Sequence, residues 1–111
     1  MLIIIVGALS IGSSFAKSFN QEVTEVTEDQ SSINDELLDA AVSAQSGDSE
    51  AAGKQLFAAI RHQEKSIVAQ RKLVAKGYIL YGHDPMIVQM EEEVNVLEQG
   101  LKVLKTKFNI D

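Results

Sequence analysis

The side chains able to do chemistry are few, and their spacing does not converge. Histidine occurs twice, as His62 and His83, and cysteine not at all. A metal centre needs three or four ligands that meet at one point. Neither a His-x-x-x-His nor a Glu-x-x-His pair occurs, and His62 with Glu64, two residues apart on a helix, would not share a face. Without cysteine there is no disulfide, no thiolate metal site and no thiol nucleophile. Glu91, Glu92 and Glu93 line up three carboxylates, the raw material of a cation site or of acid–base catalysis. Successive residues of a helix point about 100° apart, so these three are expected to fan out along a solvated face. Met86 and Met90, with His83, form the only His/Met set that a ligand could use. No nucleophile–base pair can be assembled, so the expected protein is not an enzyme and takes no cofactor or metal.

Gln63 and Gln70 offer chemistry of another kind. They fall in a seam of apolar residues at Leu56, Ile60, Ile67 and Val74. A polar residue at a seam position lowers stability but can fix register and partner choice. The alternative leaves both amides hydrated at the edge of the seam.

The elements that would position these residues are helical. The strongest periodic signal runs from Ile87 to Phe108 through Met90, Val94, Leu97, Leu101 and Leu104, in alternating steps of 3 and 4. That is the heptad pattern of a helix packed along a partner helix. The third predicted helix therefore spans Pro85 to about Phe108. Asp84 caps it, Pro85 occupies its first position, where a missing N–H costs nothing, and Lys102, Lys105 and Lys107 suit its C-terminal end. A second helix starts at Asp48 or Ser49 and ends near Gly82, with Gly77 as the other candidate stop. A first, short helix runs from Ser32, as cap, to Gln45, on the face of Ile33, Leu37, Leu38, Ala41 and Val42.

Composition agrees with a small all-α domain. The chain has 111 residues, 45% apolar and 23% charged, with 5% aromatic, one proline and no tryptophan. That length holds one domain, and a core poor in aromatics is narrow and aliphatic. The net charge of −6 argues against nucleic acid, whose phosphates need a basic face. Charge is segregated: every charged residue from Glu22 to Glu50 is acidic, whereas Lys54 to Lys76 is net basic. The acidic stretch is expected against the basic helix, in the same molecule or in a neighbour.

The N-terminus reads in three ways. Residues 1–16 are strongly apolar and end Ser14-Phe15-Ala16, a small-x-small spacing that a signal peptidase accepts, but no basic residue precedes Lys17. The segment is a signal peptide, a short membrane anchor, or the apolar start of a cytoplasmic protein; sixteen residues fall below the roughly 20 that cross a bilayer as a helix. Residues 17–31, polar and acidic, are expected to be a flexible linker. Residues 32–111 are the expected helical domain.

The expected architecture is an antiparallel, coiled-coil-like hairpin of the second and third helices. The short first helix folds onto the end away from the Gly82–Pro85 turn, leaving a bare two-helix tip from Tyr78 to Pro85. Two helices leave much apolar surface wet. The partner-binding surface is then expected to comprise Gln63, Gln70, Tyr78, Tyr81, Met86, Met90, Val94 and Leu97. It would take a protein partner or a second copy, with membrane contact through the N-terminal segment.

Leu56 to Val74, then Gly82-His83-Asp84-Pro85, then a second amphipathic helix to Phe108 resembles the inner-rod and needle subunits of type III secretion systems. The specific residues are Asp84-Pro85 with Val88 and Met90. The resemblance implies a short helical hairpin that packs in a helical polymer. Two features depart from it: Glu92 stands where a glutamine is typical of the family, and members are not exported through a cleaved signal. The functional expectation is a non-enzymatic structural or adaptor protein of an envelope-associated or exported assembly, placed in the periplasm or at a membrane, with a cytoplasmic site as the alternative. A secretion chaperone or cochaperone, or a small periplasmic helical binding protein, are the other two expectations.

Overall fold

The computed structural model describes residues 14–110. They form three helices, α1 (Ser14–Gln45), α2 (Ser49–Tyr81) and α3 (Pro85–Lys107), and no strand occurs among the described residues. The fold is all-α, and the long antiparallel pair is α1 with α2, at 32 and 33 residues, while α3 is the shorter helix at 23. The body measures 52 × 21 × 17 Å.

Local chemistry places the stops of α2 and α3. Asp48 accepts a hydrogen bond from the Ala51 N–H and so starts α2. Gly82, at φ 63°, ends α2 with its N–H bonded to the Tyr78 carbonyl; this left-handed conformation suits glycine. Asp84 then accepts from the Met86 N–H and Pro85 opens α3. Gly77 does not stop α2 but lies inside it.

The start of α1 differs from expectation. Residues 17–31 are helical, not a linker, and Ser32 is an exposed mid-helix residue, not a cap. The reason is a seam through Phe19, Val23, Val26, Gln30, Ile33, Leu37 and Ala40, which steps by 4, 3, 4, 3, 4 and 3; six of the seven are buried and Leu37 is half-buried. Packing of that face supplies what the sequence's low helix propensity does not. Residues 1–13, with most of the proposed signal peptide or anchor, lie outside the described residues.

α2 is the central helix. No Cα of α1 comes within 8 Å of one in α3 among the described residues. The acidic flank of α1 lies against the basic flank of α2 in the same molecule: Glu22 pairs with Lys76 at 3.0 Å and Glu36 meets the His62 ring at 2.7 Å. On the far side of α2 a polar ladder fixes α3. The Tyr78 hydroxyl donates to Glu91 at 2.9 Å, Arg71 pairs with Glu98 at 3.3 Å and Lys105 with Glu64 at 2.8 Å. The rungs are seven residues apart on both helices, so α2 and α3 keep one register along their whole contact.

The three-helix end is the end with the Gly82–Pro85 turn, opposite to the expected one. Phe19 of α1, fully buried, packs its ring 5.4 Å from that of Tyr81 and closes on Gly77 together with Ile87 of α3. A Cβ at Gly77 would sit 2.8 Å from Ile87 Cδ1 and 3.2 Å from Phe19 Cζ. The bare tip expected from Tyr78 to Pro85 is therefore sealed. The physical cause is the length of α1, which reaches back over the whole of α2.

Candidate functional site

Past the sealed section a groove opens between α1 and α3. Asn34 and Leu37 of α1 form one wall, and Val96, Leu97, Gly100, Leu101 and Leu104 of α3 form the other. Ile60 and Gln63 of α2 form the floor, and the space amounts to about 330 Å³. The gap has a side-chain cause. Where Phe19 and Met90 fill the sealed section, this level offers Asn34 and Gly100, and a Cβ built on Gly100 meets nothing within 4 Å. Val96 at the groove wall is more than half exposed, and the apolar surface continues beyond the groove in Leu38 and Val103, each also more than half exposed.

Beneath the groove floor lies a buried amide cluster. Gln30 and Gln63 exchange two hydrogen bonds, 2.7 Å from Gln30 Nε2 to Gln63 Oε1 and 2.8 Å in return. Gln70 Nε2 donates to Gln30 Oε1 at 3.1 Å and to Ser66 Oγ at 2.8 Å, and Gln30 Nε2 also reaches Asn34 Oδ1 at 3.2 Å. All five residues are buried, and Gln70 Oε1 has no hydrogen-bond partner among the described residues. Burying amides is tolerated only where they pair, so reciprocal Gln30–Gln63 bonding holds α1 in one register on α2. The alternative of hydrated glutamines at a seam edge does not hold. The partner residue, Gln30, was hidden in the stretch that reads as a linker; its own seam spacing was the signal.

The expected partner-binding residues divide. Gln63 and Leu97 line the groove. Met90 and Val94 lie wholly in the core, and Gln70 in the amide cluster, so packing within the chain consumes them. Tyr78 and Tyr81 are half-buried against the core, and Met86 is half-buried near the turn. At the tip the large exposed apolar residue is Ile79, at 84%. The set expected on one working surface is thus spread over core, tip and groove.

The ionisable groups do not converge. His83 stacks edge-on against Tyr78 at 5.2 Å. Glu91 takes the Tyr78 hydroxyl, Glu93 takes an amide of Gln89, and Glu92 is exposed. No group of three or more metal-binding side chains occurs among the described residues. Lys105, and after it Arg61, hold the Glu64 carboxyl below its ordinary value. Partial burial, and then the Glu91 carboxylate, push the Tyr78 hydroxyl up. Both groups serve the α2/α3 ladder. None of the helices among the described residues is long and apolar enough to cross a membrane.

Comparison with protein-family models, with curated proteins and with solved structures returns no match.

Proposed function

We propose that this chain is a non-enzymatic helical packing protein, a structural or adaptor subunit of a larger envelope-associated or exported assembly, and that the α1/α3 groove is its working surface. The observation that carries the reading is the contrast in apolar burial. The same three helices bury Phe19, Ile87 and Met90 completely at one end, yet leave Leu38, Val96 and Val103 wet at the other. A contiguous apolar face of this kind marks an interaction site, and its walls are helical, which suits a helix laid alongside.

The envelope placement rests on the apolar composition of residues 1–16 and their Ser14-Phe15-Ala16 end. The resemblance to type III inner-rod and needle subunits points to the same class of role, packing in a polymer. A small helical binding protein is the second reading, favoured by the amides of Asn34 and Gln63 among the apolar groove walls. A secretion chaperone would use the same groove for a client helix.

Photo-crosslinking in the native host tests the reading. A photoreactive residue at Val96 or Val103 should give discrete adducts of defined mass, and one at exposed Lys72, on the far side of α2, should give none. Equal, diffuse labelling from all three positions would overturn it. Intact mass of the isolated protein decides between a chain that starts near Lys17 and one that keeps residues 1–16.

A further inference from the structure

The groove accepts a helix, and the charges at its borders narrow the choice of partner. The strip of α1 that turns towards α3 runs through Asn20, Thr24, Thr27, Ser31, Asn34, Leu38 and Ala41 at steps of 3 and 4, and it carries no charge. The acidic residues of α1 sit elsewhere, four of them on the side of α2's lysines and His62 and three, Glu28, Asp35 and Asp39, on the outer face. Two copies of a chain with net charge −6 repel in most orientations. The uncharged strip is the part of α1 on which a second copy meets no carboxylate.

The flanks of the groove are complementary to each other. Asp35 and Asp39, exposed at the outer edge of α1, border the groove on one side, and α3 ends on the other in exposed Lys107, whereas Lys102 falls on the Glu98–Lys105 side of α3. An isologous two-fold contact requires both halves of every complementary pair on the same surface, and this surface has them. With one copy turned over, each acidic flank faces the other copy's basic helix end. The apolar strip of Leu38, Val96 and Val103 is then covered by its own equivalent.

We infer that the α1/α3 groove is a self-association surface, and that two copies of this chain pair through it as a two-fold dimer. This deepens the packing reading above and rests on it. Light scattering of the full chain over about a hundredfold range of concentration tests it. The expected result is a dimer mass at the upper concentrations. Val96→Asp or Val103→Asp should raise the dissociation constant at least about a hundredfold, because an unpaired carboxylate is buried. Both positions are exposed in the single copy, so helix content by circular dichroism should not change. Asp35→Lys and Lys107→Asp should each weaken pairing by about three- to tenfold, and the double variant should recover most of the loss. A dimer that ignores Val96→Asp overturns the inference, since the contact then lies elsewhere. A monomer at every concentration overturns it too. If that monomer binds an anilinonaphthalene sulfonate dye at the groove, and Val96→Asp abolishes the binding, the packing reading survives with a foreign partner. If it binds no dye, both fall.

Discussion

The two halves of this molecule are built from the same three helices and differ in what fills the space between α1 and α3. In the sealed half, Gly77 withdraws its side chain and Phe19 and Ile87 move in over it. In the open half the absent side chain is on α3, at Gly100, and nothing moves in. A glycine in the central helix draws its neighbours together; a glycine in an outer helix beside open space leaves a cleft. The teaching is that a missing side chain has no fixed meaning until its neighbours are known.

The largest test of this contrast compares two phenylalanines. Phe19→Ala empties a fully buried site and should lower stability by about 3 kcal/mol or more, measured by urea unfolding. Phe57→Ala, at the open end, removes a ring that is half exposed under Arg61 and should cost under about 1 kcal/mol. Equal effects would erase the distinction between the halves.

The amide cluster sits where the halves meet. Gln63→Ala removes two buried hydrogen bonds of Gln30, which keeps those to Asn34 and Gln70, and should destabilise by about 1–3 kcal/mol. Replacing both residues by leucine removes the exchange at both ends but also takes the Gln30 bonds from buried Asn34 and Gln70, so it should cost less than the sum of the two single changes without reaching neutrality. The register would then be less strictly set, which amide hydrogen exchange along α1 would show as lower protection. A pair whose costs simply add would mean the two amides are not coupled.

The glycines themselves give the next contrast. Gly77→Ala forces a methyl against Ile87 and Phe19 and should destabilise by about 1–2 kcal/mol after the gain in helix propensity is counted. Gly100→Ala meets open space and should stabilise by about 0.5–1 kcal/mol. Thermal midpoints that move in the same direction would contradict the packing described.

The smallest expected effect is a pH dependence at the open half. Glu64 has its carboxyl held below the ordinary 4.5 by Lys105 first and Arg61 second. A carboxyl depressed in the fold contributes its stabilisation above its unfolded value and loses it as pH falls through the folded value. The Glu64 contribution is therefore complete above about pH 5 and fades as the solution is acidified below 4.5. Solvent screening keeps it under about 1 kcal/mol. The gap in urea midpoint between the native chain and Glu64→Gln should be visible near pH 7 and close by about pH 3; a gap that widens on acidification would reverse the sign.

Several elements were legible residue by residue. Asp84-Pro85 after Gly82 announced the turn, because capping and proline geometry act within a few residues. The seam from Ile87 to Phe108 announced α3, and Gln63 and Gln70 announced themselves as polar residues in an apolar row. The N-terminal half of α1 was not read as helix, although Phe19, Val23, Val26 and Gln30 carry the same heptad step. Seven carboxylates between Glu22 and Asp39 read as a solvated stretch, and the groups that meet two of them, Lys76 on Glu22 and His62 on Glu36, lie 54 and 26 residues away in the chain. A linker at residues 17–31 would put the three-helix section at the end away from the Gly82–Pro85 turn; the helical α1 puts it at the turn and leaves the other end open.

Sequence by itself determined that the fold is all-α, where α2 and α3 start and stop, and which seam of α3 is apolar, because caps, turns and periodicity are set by neighbours in the chain; for α1 it pointed to a face on which Leu38 and Val42 are in fact exposed. Only the tertiary structure decided which apolar faces meet. Each helix has one apolar stripe and two candidate partners, and the choice turns on helix lengths, on the close approach at Gly77 and on the Gln30–Gln63 exchange across α1 and α2. The groove is the remainder of that choice, the part of the stripe on α1 and α3 that none of the described helices covers.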